Sequence, residues 1–353
     1  MAWIALLGAG HFILEIACSF SLTQAADNSL IQGEGILAFN LLAFVLQPFI
    51  GLCIDRWRLA TLSTLLGGIL IVAALLLPGF KPEVLIVLLG LGNGCFHVGA
   101  GTWSIMLSRG RLVGLGMFVG PGALGLTLGV GLARTDTPFP AAIISSLFIM
   151  ILVGVWLLGR RHSTAIYSAD RGREIPNMTK RALTLTLLLL LSCIAIRSFV
   201  GLGLGFDWNS SATTAVAIGL ALASGKIAGG WLADRFGWIQ TSILVLALSV
   251  PALWFGRHHV FLGLLGTALF QTPMAITLGA LVWQLPTYPG FAFGLASAAV
   301  YGGAFFLTGE TPHWVQDFHT HGLLSTISIG LLVVALRDGS KMSSGHAAAP
   351  RRD

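Results

Sequence analysis

Apolar residues in this chain do not alternate with polar ones. They come in long runs closed by brief polar punctuation. Twelve runs approach the roughly 20 residues that a helix needs to cross the hydrocarbon core of a bilayer: 2–22, 35–54, 59–79, 84–107, 112–133, 139–159, 183–206, 212–233, 238–256, 259–284, 289–308 and 319–336. Most connections are short, so neighbouring helices run antiparallel. The longest polar stretch, 160–182, begins Arg160-Arg161-His162 and ends Lys180-Arg181. The pattern predicts an all-α membrane protein with 12 transmembrane helices in two pseudo-symmetric six-helix bundles, residues 1–159 and 183–336. Residues 160–182 read as a cytoplasmic linker, and 337–353 as a disordered cytoplasmic tail.

Composition supports lipid as the solvent. The chain is 55% hydrophobic and 10% charged, against about 25% charged residues in soluble domains. The net charge of +6 would suit nucleic acid, but the bases cluster in loops. With the amino terminus inside, fifteen of the 20 Lys and Arg fall in inner loops and the tail, and three (Lys81, Arg134, Arg257) in outer loops. That asymmetry predicts both termini in the cytoplasm. No base precedes the first apolar run, so it reads as a membrane helix and not as a cleaved leader. Cys18, Cys53, Cys95 and Cys193 lie in or beside apolar runs without a C-x-x-C pair, which argues against disulfides or a zinc site. Neither G-x-S-x-G nor H-E-x-x-H occurs, and no segment outside the bundle is long enough for a sensor's output domain. No enzyme activity, cofactor or nucleic-acid partner is expected.

Ionisable groups at membrane depth are costly, at about 2.5–3.5 kcal/mol for Arg, Lys or Asp on insertion scales, so they mark a wet cavity or a partner. His11 and Glu15, four apart, share a helix face and can pass a proton, which makes them the candidate coupling pair. His97 reads equally as a cavity ligand, a proton relay or a satisfied core histidine. Arg197, always protonated, either pairs with Glu15 across the two halves or binds an anionic substrate. Lys226 either snorkels to the interface or faces the cavity. Glu310, His313, Asp317, His319 and His321 crowd the last outer loop; loop polarity accounts for them better than a metal does.

The chain is also internally duplicated. Gly51-Leu52-Cys53-Ile54-Asp55-Arg56-Trp57-Arg58 returns 179 positions later as Gly230-Trp231-Leu232-Ala233-Asp234-Arg235-Phe236-Gly237, without the second glycine in the first copy. Phe96-His97 aligns with Phe270-Gln271, and Gln47 with Lys226. Parallel halves of this kind put a substrate site between them near mid-bilayer, so Gln47, His97, Arg197, Lys226 and Gln271 are the candidate substrate residues.

The repeated G-x-x-x-D-R block resembles the signature loop of major facilitator superfamily transporters. For Gly51, Asp55, Arg56, Gly230, Asp234, Arg235 and Gly237 that resemblance implies gating: each Asp faces the positive end of a helix in the opposite half, the Arg pairs nearby, and the cytoplasmic side is latched shut. Gly116-x-x-x-Gly120-Pro121 resembles the helix 5 motif of the drug–proton antiporters. Gly10-His11-Phe12 with Glu15, Gln47-Pro48, Phe96-His97 and Arg197-Ser198 together resemble the fosmidomycin-resistance-type branch. Glu15 stands where that branch usually has Asp, and Val98 where it has Pro. The resemblance implies a monomeric, proton-coupled exporter of small anionic or amphipathic solutes in the bacterial inner membrane. Symport or facilitated uptake of an organic anion would use the same residues.

Overall fold

The computed structural model describes residues 1–27, 30–31, 33–77, 81–135, 140–170, 178–209, 211–307 and 317–337. In the amino-terminal half, α1 spans Ala2–Asp27, and α2 (Gly33–Asn40) runs through a π turn, Leu41–Val45, into α3 (Gln47–Trp57). Then follow α4 (Ala60–Leu76), α5 (Pro82–Ser108), α6 (Leu112–Ala133) and α7 (Ala141–Asp170). In the second half α8 is Lys180–Gly203, α9 Ala212–Phe236 and α10 Trp238–Gly256. The short helices α11 (Val260–Gln271) and α12 (Met274–Gln284) follow, then α13 (Pro289–Phe305) and α14 (Phe318–Arg337).

Among the described residues ten helical rods are long and apolar enough to cross a membrane, with α2–α3 and α11–α12 each counted as one. The helices α4 and α13 are shorter, at 17 residues each. Two expected spans are interrupted, and proline explains both. Pro48 and Pro273 have no N–H to offer the carbonyl one turn back, so the regular ladder gives way there. The first interruption is the π turn, closed by Leu46 N–H to the Leu41 carbonyl at 3.0 Å. The second is the Thr272-Pro273 step between α11 and α12. The polar stretch 160–182 is helical at both ends, since α7 runs on to Asp170 and α8 begins at Lys180. The tail 338–353 lies outside the described residues.

The exteriors of these helices are as apolar as their interiors. On α7, Phe148, Ile151, Val155 and Leu158 are buried, while Ile143, Leu147, Met150 and Val153 point outward. A helix apolar all round needs an apolar surrounding on every side. The buried polar residues instead include His11, Glu15, Gln47, Asn93, His97 and Arg197. Each half packs its own helices together, and the halves meet mainly where α6 crosses α9 and α3 crosses α13. Small residues make those crossings close: Gly116 and Gly120 of α6 sit against Ala223, Lys226 and Ile227 of α9.

Candidate functional site

The two signature blocks end α3 and α9, and each reaches into the opposite half. At Gly51 there is no room for a side chain, because the α13 backbone at Gly290 and Phe291 lies against it. One turn further on, Asp55 receives the Gly290 N–H at 2.9 Å and the Phe291 N–H at 2.8 Å. The second copy repeats this arrangement. Gly230 abuts Leu112 and Val113 at the start of α6, and Asp234 receives their N–H groups at 2.8 and 3.0 Å. Each carboxylate thus satisfies two orphan donors at a helix amino terminus and meets its positive end. The arginines do not pair as the resemblance implies: among the described residues neither Arg56 nor Arg235 forms an ion pair. Both are exposed, and Arg235 lies over the Phe236 ring at 5.7 Å. Arg58, in the place of the missing glycine, adopts the left-handed helical conformation with φ 60° and ψ 43°, whereas Gly237 is extended at positive φ, with φ 91° and ψ 153°.

Deep in the amino-terminal half, α1 and α5 bring His11, Glu15 and His97 together. Gly122 of α6 leaves the space that the His11 ring fills, and Gly125 does the same for the α1 backbone beside Glu15. His11 Nδ1 lies 2.9 Å from the Phe118 carbonyl, and His97 Nδ1 lies 3.0 Å from the Asn93 carbonyl. A carbonyl only accepts, so both Nδ1 atoms carry hydrogen and both Nε2 atoms turn their lone pairs inward. Those Nε2 atoms are 2.7 Å apart. The Glu15 Oε1 atom is 3.3 Å from the His97 Nε2 and 3.9 Å from that of His11. Three lone-pair donors therefore converge, and they repel one another unless a positive species lies among them. Asn93 donates to Glu15 Oε1 at 3.2 Å. Sequence reasoning missed Asn93; its place one turn before His97 on the same face is the signal that could have found it.

The carboxy-terminal half is organised differently. Arg197 on α8 is buried, donates from Nη2 to the Phe270 carbonyl of α11 at 2.7 Å, and lies 5.5 Å from the Phe270 ring centre. Its Nε has no hydrogen-bond partner, and among the described residues no carboxylate pairs with it. Of the two alternatives for Arg197, the pair with Glu15 is thus not formed. Glu15 is engaged by α5 within its own half, and Arg197 turns to α11 within the other. Lys226 on α9 is half-buried and close enough to both Glu15 and Arg197 to interact with each electrostatically. Gln47 is fully buried, with Nε2 donating to the Ala43 carbonyl within the π turn and, among the described residues, no partner for Oε1. Gln271 is half-buried next to Phe270. Pro121 lies inside an unbroken α6.

Of the cluster expected in the last outer loop, Glu310 and His313 lie outside the described residues, Asp317 directly precedes α14, and His319 and His321 lie on α14 and not in a loop. Asp317 accepts from the Thr320 backbone, His319 packs edge-on against Trp254, and His321 stacks with Phe199. The grouping spaced to hold a metal ion, among the described residues, is His11, Glu15 and His97.

No family model matches the sequence, and no curated protein does. Solved structures do match in fold. A crystal structure of the major facilitator superfamily transporter FucP in the outward conformation superposes with a TM-score of 0.67 at 14% identity, covering 95% of this chain and 97% of that one. A point variant of the E. coli fucose:proton symporter FucP gives 0.65 at 13%, over 95% and 97%. The human organic anion transporter MFSD10 gives 0.67 at 16%, over 93% and 98%. The chain has the fold of major facilitator superfamily transporters and is a multi-pass integral membrane protein.

Proposed function

We propose that this protein is a secondary active transporter of the major facilitator superfamily, moving a small anionic or amphipathic solute by alternating access. All twelve helical rods cross the membrane, with both termini in the cytoplasm, and the monomer resides in the plasma membrane. The observation that carries this reading is the exchange of caps. Asp55 closes a helix of the second half and Asp234 closes a helix of the first. Bonds that cross between halves near one membrane face form and break as a unit when the halves rock. The buried Arg197, held by a single backbone carbonyl and without an acid, supports an anionic solute, because a fixed guanidinium out of water needs a negative partner.

Proton coupling falls to Glu15 with His11 and His97, where one positive species reconciles three converging lone pairs. A proton shared there is released when the surroundings of the cluster change with the rocking. Efflux is the direction the fosmidomycin-resistance-type resemblance favours. Symport or facilitated uptake is the second reading, and the shared fold with a fucose:proton symporter and an organic anion transporter supports it.

The test is transport in proteoliposomes with an imposed proton gradient, screening organic anions and reading internal pH with an entrapped dye. Glu15→Gln is expected to abolish gradient-driven movement and leave solute exchange intact. Unchanged gradient-driven movement in that variant removes Glu15 from the coupling step, and the sign of the pH response decides between efflux and symport.

A further inference from the structure

We infer that His11, Glu15 and His97 form a binding site for a divalent cation of the zinc class. The inference does not depend on the transport reading. It starts from the separations of 2.7, 3.3 and 3.9 Å among the two Nε2 atoms and Glu15 Oε1. A circle through three points so spaced has a radius of about 2.0 Å, which is the zinc–imidazole and zinc–carboxylate bond length. One ion can therefore come within bonding distance of all three atoms, and side-chain rotations that open the 2.7 Å separation and close the 3.9 Å one bring the set to the spacing of about 3.3 Å of a tetrahedral site. Both imidazoles already donate Nδ1–H to carbonyls, of Phe118 and Asn93. That is the outer arrangement which fixes the tautomer of a metal-binding histidine and leaves Nε2 free to ligate. Glu15 is in turn oriented by Asn93.

Donor type narrows the ion. Two imidazoles and one carboxylate suit Zn²⁺, Co²⁺ or Ni²⁺, whereas Mg²⁺ and Ca²⁺ require oxygen sets. Three protein ligands leave a coordination position for water. The ion and the shared proton need the same lone pairs, so they exclude each other. Lys226 is the base within electrostatic reach of the cluster, and it opposes a second positive charge. Its presence predicts a gain in affinity when it is neutralised.

The experiment uses the full-length protein in detergent, stripped with chelator and titrated with Zn²⁺ by calorimetry and with Co²⁺ by visible absorbance. One ion per chain is expected, with X-ray absorption fitting two imidazoles and one oxygen at about 2.0–2.1 Å. His97→Gln is expected to weaken Zn²⁺ binding by more than about a hundredfold, beyond the roughly 10–100-fold that loss of an outer partner costs. Lys226→Gln, which removes no ligand, is expected to tighten it. A combined His313→Gln, His319→Gln and His321→Gln variant should leave it unchanged. The assignment is overturned by absent binding, by fewer than two imidazoles in the absorption fit, by loss of binding in the outer-loop variant, or by no gain in Lys226→Gln. Each of these outcomes leaves the Glu15→Gln transport result to stand or fall separately.

Discussion

The two halves share one fold and use corresponding helix pairs for different chemistry. In the first, α1 and α5 bring an acid and two imidazoles within 4.8 Å of one another. In the second, the corresponding pair α8 and α11 holds one guanidinium against a backbone carbonyl. The first interior can gain or lose a positive species. The second keeps a permanent charge whatever the pH, because an arginine does not deprotonate in a protein. A repeat that has diverged in this way can divide the work, with coupling on one side and solute anchoring on the other. At the helix ends the halves have not diverged: both Asp caps have the same geometry.

Removing the fixed charge has the largest expected effect on this contrast. Arg197→Met should abolish the thermal stabilisation that any bound organic anion gives wild type. It should leave the unliganded melting temperature unchanged or higher, because a buried charge without an acid contributes little stability. A melting temperature that still rises with the same anion refutes the anchoring role. Next come the caps. Asp55→Asn or Asp234→Asn should weaken the shared closure by about 1–2 kcal/mol each, and the double variant by roughly the sum. Since about 1.4 kcal/mol is tenfold, cysteine accessibility at the α3 and α9 ends should rise about tenfold in each single variant and about a hundredfold in the double. Equal effects of Asp55 and Asp234 would show the gate to be symmetric where the interiors are not. A further pair of variants separates the two loop ends. Gly237→Ala should lower stability by about 1–3 kcal/mol, because its backbone conformation is available essentially to glycine alone. Arg58→Gly relieves a left-handed residue, worth up to about 1 kcal/mol, and removes the interaction its side chain makes, so it should change stability less than Gly237→Ala does. Melting temperatures of the two variants check this contrast.

Much of this was legible in the chain. Run length gave the helices, and the duplicated D-R block gave the crossing points, because a glycine one turn before an acid permits both close approach and capping. His11 and Glu15 declared themselves by sharing a helix face. The convergence of His97 on them did not, since it depends on how α5 rotates against α1, and no local spacing reports that rotation. The supposed Arg197–Glu15 pair failed for the same reason: charge complementarity identifies possible partners, and packing selects among them. The missing glycine at Arg58 weakened the motif in sequence, and there the backbone takes a different conformation, left-handed with ψ 43° where Gly237 has ψ 153°.

The π turn at Leu41–Val45 sets the azimuth of everything that follows it in the same rod. Each residue advances an α-helix by about 100°, and an i→i+5 turn takes up one residue more than an α turn, so straightening it into regular α-helix with no residue removed would swing Gly51 and Asp55 about a quarter-turn away from α13. The chain would still span the bilayer and would still carry its motif, but the acid would point at lipid. The half-to-half contact is thus phased by a local irregularity, and a correct signature sequence placed out of phase would be mute.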